Sequence, residues 1–339
     1  MGFKHKIIFI VVLLIVILSG FIFLNYYGYL STKRGDKIVI EIPKGLGLKD
    51  IALKLEDAGI IRSGKLFILT ALIRGDAGKL KAGEYEFQIG DPLNLIIEKL
   101  LKGDVLVRKI TIPEGLTIKE IAELLERKDI VSKEAFFEKA NSSAFIKELL
   151  GVSLPSFEGY LFPDSYLYKK GITPEELIRM MVSRFKEVYK PLRVNSGMLN
   201  LTDHEVVTIA SIIEKETGNP SERPLISAVF YNRLRLGMRL ESDPTVIYGI
   251  GDFNGSITKK DLRTETKYNT YMVFGLPPGP ISNPGKDSLQ ATLNPANVNY
   301  LYFVSKGDGT HEFSSNYLDH QRGVMRYQKQ SVSIEKIRQ

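Results

Sequence analysis

From Ile7 to Leu30 the chain reads IIFIVVLLIVILSGFIFLNYYGYL, a run without a single charge. About 20 apolar residues in a helix cross the hydrocarbon core of a bilayer. Tyr26, Tyr27 and Tyr29 stand where interfacial aromatics gather. A cleaved signal peptide has an apolar core of only about 7–15 residues and a small-x-small cleavage site, and the segment FLNYYGYLSTK offers no such site. The sequence therefore predicts an uncleaved single-pass transmembrane helix at residues 7–30 behind a short tail, residues 1–6. Lys4 and Lys6 precede the run while Lys33, Arg34 and Lys37 follow it, so positive charge alone leaves its orientation open. Everything that folds as a globule lies in the remainder.

The chain as a whole has the composition of a globular protein: 44% of the 339 residues are hydrophobic and 25% charged. The absence of cysteine removes thiol nucleophiles, zinc-thiolate sites and disulfides. A net charge of +7 favours an acidic partner, whether nucleic acid, anionic lipid or an anionic wall polymer. The basic residues are dispersed and no nucleic-acid-binding motif is present, which argues against nucleic acid. His204, His311 and His320 are scattered, THEFS is not the His-Glu-x-x-His zinc motif, and no phosphate-binding glycine loop occurs. Neither a metal nor a cofactor is expected.

An internal repeat organises the first half. IEIPKGLGLKDIALKLEDAGI (Ile40–Ile60) aligns without a gap on ITIPEGLTIKEIAELLERKDI (Ile110–Ile130). Each copy predicts a short alternating strand, a Pro-x-Gly turn and an amphipathic helix, with Ile51, Ala52 and Leu55 forming the inward stripe of the first. Such a βα unit resembles the LysM fold of wall-binding modules, and wall binding and plain scaffolding both remain open for it. AGEYEF predicts a further strand, and Leu93–Leu101 a helix stopped by Gly103. The organisation expected is a LysM-like domain at 36–104, a second βα unit at 105–150 and a mixed α+β domain at 151–339, an α+β chain overall. Within the last, TPEELIRMMVSRFKEVY (Thr173–Tyr189) carries Thr at the N-cap, Pro at the first helical position and acids in the first turn.

The chemistry falls on TDHEVVTIASIIEKET, which opens at Thr202 or Asp203 and is expected to stop at Gly218. At 100° per residue, Glu216 lies within about 60° of Ile209, Ile212 and Ile213. Glu214 lies about 160° away, so the two acids cannot face one another. A carboxyl that continues an apolar stripe is desolvated, keeps its proton towards neutral pH and can donate it to a leaving oxygen. The pattern alone leaves the plainer alternative, a solvated helix end, open.

ASIIEKET, FYNRLRLGMRLESDPTVIYG, YNTYMVFGLPPGPISNPG and YLYFVSKGDGTHEFS occur in that order, preceded by EGYLFPDSY. Together they resemble the endolytic murein transglycosylases of the MltG (YceG-like) family along nearly all of the chain after the anchor. The resemblance implies cleavage of the β-1,4 bond between N-acetylmuramic acid and N-acetylglucosamine within glycan strands, leaving a 1,6-anhydro-muramoyl end. It places the catalytic glutamate at Glu216. Glu214 is expected to support the site by holding backbone or an arginine such as Arg233, and remains the alternative acid. Asn232, Tyr268, Asn269 and Tyr271 are candidate sugar contacts or, equally, loop structure. Peptidoglycan as substrate puts the catalytic domain outside the cytoplasmic membrane with the N-terminus inside, beside wall synthases as possible partners. A non-catalytic wall-binding scaffold, and a hydrolase with Asp243 as a second carboxylate, are the competing readings.

Overall fold

The computed structural model describes residues 8–13, 15, 16, 19, 20, 35–194, 201–251, 253 and 255–329. The expected transmembrane segment lies largely outside them. Its described residues are helical, and the apolar side chains at positions 8–13, 15 and 16 are exposed. Among the described residues no helix is long and apolar enough to cross a membrane.

The chain divides into two compact units: one holds the residues up to Arg108 together with Leu167–Lys170, the other Lys109–Tyr166 and everything from Gly171 onward. The first contains β1 (Lys37–Ile42), α1 (Leu48–Asp57), α2 (Gly64–Ile73), β2 (Gly83–Gln88) and α3 (Leu93–Lys102). β1 and β2 pair antiparallel, with Lys37 opposite Gln88 and Ile42 opposite Gly83. Alternation along β1 buries Ile40 and Ile42 while Val39 and Glu41 face solvent, as a strand with one covered face requires. Ile51, Ala52 and Leu55 from α1 meet Phe67 from α2, Tyr85 and Phe87 from β2, and Ile96, Ile97 and Leu100 from α3 in one core.

The division at Arg108 falls within β3 (Val107–Thr111), which forms a two-stranded ribbon with β4 (Ser165–Lys169). The second unit continues with α4 (Ile118–Arg127), α5 (Lys133–Ala140), α6 (Ser143–Leu150), α7 (Pro174–Val194), α8 (Asp203–Glu216), α9 (Arg223–Arg235), α10 (Asp243–Ile250), α11 (Lys286–Leu293), the hairpin β5 (Tyr302–Ser305) and β6 (His311–Ser314), and α12 (Tyr317–Val324). The second sequence repeat thus clusters with the residues that follow it, and not as a body of its own. In both copies a strand, a turn and a helix follow one another as the repeat predicts. The turn glycines Gly45 and Gly115 have φ of 85° and 76°, a region other residues enter only at a cost. α4 starts on a capping box in which Thr117 and Glu120 satisfy each other's backbone amides.

Two helix ends differ from expectation. α7 passes Pro191 and runs to Val194 instead of stopping at Tyr189. α8 ends at Glu216 because Thr217 turns extended (φ −144°, ψ 136°) before Gly218 is reached. That extended Thr217 leaves Glu216 as the last helical residue. α8 itself is the spine of the unit: Val206, Val207, Ile209, Ala210, Ile212 and Ile213 are all fully buried. It packs against α9, α10 and α11, with Ile226 and Phe230 of α9, Leu240 and Ile281 completing the core around its end.

Candidate active site

Glu216 continues the stripe of Ile209, Ile212 and Ile213 to the point where the core opens, and it is half-buried. Burial pushes its pKa up to about 7; a hydrogen bond from Ser242 opposes the rise, the negative charge of Asp243 adds to it and the positive charge of Arg233 works against it. Ser242 Oγ donates to Glu216 Oε1, which leaves Oε2 as the oxygen free to carry a proton. The carboxyl is therefore held near the midpoint of its titration at neutral pH, the condition for giving up a proton and then taking one back.

Ser242 is placed by a buried polar staple. Its amide donates to Thr270 Oγ1 at 3.0 Å. Thr245 Oγ1 lies 2.8 Å from Thr270 Oγ1 and donates to Ser242 O at 2.6 Å. The preceding Glu241 has φ 53°, a strained value for a residue with a side chain, and its amide donates to Thr270 O at 3.2 Å. Asp243 is exposed, and Tyr271 donates its hydroxyl to Asp243 Oδ1 at 2.7 Å. Glu216, Ser242, Asp243 and Tyr271 form one cluster, with Arg233 close enough to act on its charge.

Glu214 is elsewhere. It lies on the opposite side of α8, where Arg223 Nη2 (3.3 Å), the amide of Gly285 (3.0 Å) and Ser288 Oγ (2.7 Å) donate to it. Its carboxylate is thereby committed to seating the N-terminus of α11, and its arginine is Arg223, not Arg233. Arg233 is buried and donates to the carbonyls of Leu301 (2.7 Å), Arg239 (3.1 Å) and Leu240 (2.9 Å) and to Glu241 Oε2 (3.0 Å). It ties α9 to the segment that delivers Ser242.

Two of the candidate sugar contacts are engaged within the protein. Asn269 is fully buried, its amide nitrogen bound to the carbonyls of Leu262 and Thr264 and its oxygen to the amide of Tyr271. Asn232 donates to the carbonyls of Val298 and Tyr300. Both amides spend their nitrogens on loop carbonyls, and Asn232 Oδ1 accepts from Arg235 Nη2 at 3.1 Å. Tyr268 and Tyr271 stay half-buried, Tyr268 standing edge-on to Tyr248 at 4.7 Å between centroids.

Three residues outside the sequence candidates brace the unit around α8. Ser242 and Arg223 carry no local signature. Glu158, in EGYLFPDSY, is a buried carboxyl receiving the amide of Ile118 (3.1 Å), Asn283 Nδ2 (3.0 Å) and Tyr248 OH (3.2 Å). Burial raises it to about 8 despite those bonds. Asn283 also exchanges backbone bonds with the second repeat, accepting from Gly115 and donating to Leu116 O, both at 2.9 Å. The second repeat and the SNPG loop are thus locked together behind α8. Among the described residues no group of His, Asp and Glu is arranged to hold a metal ion.

An α+β unit built around one proton-holding carboxyl at a helix end defines the class, an acid/base enzyme. Residues 40–326 match the YceG-like family, and the chain belongs to it. It is 32% identical over 304 residues to the endolytic murein transglycosylase of Bacillus subtilis (strain 168), covering 85% of this chain and 84% of that one. The protein of the same description from Streptococcus pneumoniae serotype 2 (strain D39 / NCTC 7466) is 30% identical over 340 residues, 88% of this chain but 62% of that longer one. The crystal structure of a YceG-like protein from Listeria monocytogenes superposes with a TM-score of 0.57 at 33% identity, over 85% of this chain and 99% of that chain.

Proposed function

We propose that the chain is a membrane-anchored endolytic lytic transglycosylase acting on peptidoglycan, with Glu216 as its sole acid and base. The observation that carries this reading is the half-buried carboxyl of Glu216, pushed up by burial to about 7 and standing apart from Glu214. Protonated Glu216 gives its proton to the glycosidic oxygen as the bond from the muramoyl anomeric carbon breaks. The muramoyl C6 hydroxyl then closes onto that carbon and returns its proton to Glu216. No water enters, so a second carboxylate to activate one is unnecessary, and the tethered hydroxyl supplies a high effective concentration. The two curated relatives bear the name of this activity.

The strand–helix–helix–strand order of the first unit, with its strands paired antiparallel, supports a LysM-like wall-binding role for residues 36–104. The charge-free run at 7–30 and the exposed apolar side chains at its described positions support a single-pass anchor with the N-terminus inside. Anchoring confines cleavage to strands beside the membrane, where wall synthases extend them.

The test is the product. The purified full-length chain, incubated with uncrosslinked glycan strands, should yield fragments with ends one water lighter than hydrolysed ends by mass spectrometry. Asp243, close enough to raise Glu216, gives the hydrolase its one structural argument; hydrated ends would decide for it, and intact strands for a scaffold.

The pH profile follows from the same carboxyl. Because the reaction starts from protonated Glu216, kcat/KM should be level below about 7 and fall about tenfold per pH unit above it. Asp243→Asn removes a negative neighbour, which lowers the pKa of Glu216 and moves this limb to lower pH. A limb centred at the ordinary glutamate value of 4.5, or one indifferent to Asp243→Asn, would count against the assignment.

A further inference from the structure

Three residues before Ser242 stands Arg239, and four after Thr270 stands Phe274. Because Ser242 and Thr270 are bonded to each other beside Glu216, Arg239 and Phe274 leave the site on two adjacent segments. Three residues of chain span at most about 11 Å, which keeps the backbone of Arg239 within that distance of Ser242. Phe274 is 67% exposed, unusual for a large aromatic ring with no partner to cover it. The guanidinium of Arg239 lies over that ring, 4.5 Å from its centroid. Arg239 Nε is buried and has no hydrogen-bond partner among the described residues.

The contrast with the neighbouring cations is informative. Arg233 is spent on three carbonyls and Glu241, and Arg223 on Glu214 and Asp287. Both are structural. Arg239 has its planar fork held flat by a ring, with no carboxylate paired to it among the described residues, on the segment that leads to Ser242. A guanidinium presented in this way matches a carboxylate in two-pronged fashion, and the stacked ring reduces the freedom lost when it binds.

Resting on the transglycosylase reading, we propose that Arg239 and Phe274 form a subsite for a free carboxylate of the stem peptide carried by the muramoyl residue. The subsite makes the enzyme prefer peptide-bearing strands over bare glycan. Its contact is remote from the breaking bond, so it acts in KM more than in kcat.

The experiment compares full-length wild type and Arg239→Ala on uncrosslinked strands with their stem peptides and on the same strands after the peptides are removed by an amidase. Peptide removal exposes the lactyl carboxylate of muramic acid, so the two substrates separate the two sources of the charge. The wild type should show the lower KM on peptide-bearing strands, and Arg239→Ala should reduce that preference about tenfold, with an unchanged unfolding midpoint. Arg239→Lys keeps the charge without the fork and should restore only part of the preference; Phe274→Leu, which removes the platform, should lose part of it. An equal rise of KM on both substrates, no rise on either, or a rise confined to stripped strands would each overturn the assignment. Labelled-strand binding to Glu216→Gln and to Glu216→Gln/Arg239→Ala reads the same preference without turnover. Failure of the wild type to cleave either substrate would therefore sink the reading of function, while the binding comparison still decides this one.

Discussion

Glu216→Gln should reduce kcat by at least about 10³-fold while glycan binding persists. General acid–base catalysis alone is worth about 10²–10⁴, and here one carboxyl serves both proton transfers, so neither half of the reaction retains a substitute. The substitution is conservative in shape: the amide oxygen can still accept from Ser242 Oγ, and the replaced group is already partly neutral at pH 7. Charge in the cleft therefore changes little, and what disappears is the transferable proton. The measurement is the rate of anhydro-end formation by mass spectrometry beside an equilibrium binding assay with labelled strands. Wild-type turnover in the variant would remove Glu216 from the mechanism. Loss of binding together with turnover would make it a structural residue.

The position of Glu216 was legible because it follows from local geometry. A 100° rotation per residue fixes which acid continues the stripe of Ile209, Ile212 and Ile213, and no long-range information is needed. The same holds for the strand, turn and helix of the two repeats and for the N-cap at Thr202. What the sequence does not display is which polar groups find partners far along the chain. Asn232 and Asn269 read equally as sugar contacts, because free amides bind sugars, and as loop structure. Asn232, however, spends its donor on carbonyls more than 60 residues away, and Asn269 closes its own loop. Arg233 was one arginine expected to pair with Glu214, yet three carbonyls and Glu241 claim it, and Arg223 takes its place. Ser242 reaches Glu216 only because a buried Thr–Thr pair and a strained Glu241 bring its segment across.

Arg223→Met should cost about 3 kcal/mol of stability in the second unit. Arg223 and the Glu214 side chain are 7% and 6% exposed, and removing one partner of a buried ion pair typically costs about 3–5 kcal/mol because the other charge stays behind. Here the loss is compounded. Arg223 Nη1 also meets Asp287 Oδ2 at 3.4 Å, and Nη2 lies 3.9 Å from Glu114 Oε2. Glu114 is already raised by burial and by Glu214, with Arg223 opposing the rise, so without the arginine three carboxylates face one another. In the variant Glu114 loses the positive charge that opposes its rise, so it titrates further above its unfolded value and the native state binds more protons than the unfolded chain. The deficit should therefore be full near pH 7.5 and shrink as pH falls towards 5, the reverse of ordinary acid denaturation. In a domain of this size the loss corresponds to a fall in unfolding midpoint of about 6–12 °C. Adding Glu214→Gln removes the stranded charge while leaving an oxygen for the amide of Gly285 and for Ser288, so the double variant should recover more than half of the loss. Denaturant unfolding of the four proteins at the two pH values completes the cycle. A loss that ignores pH, or that Glu214→Gln deepens, would mean that Arg223 stabilises the end of α8 through packing, and that the carboxylates behind Glu216 do not depend on its charge.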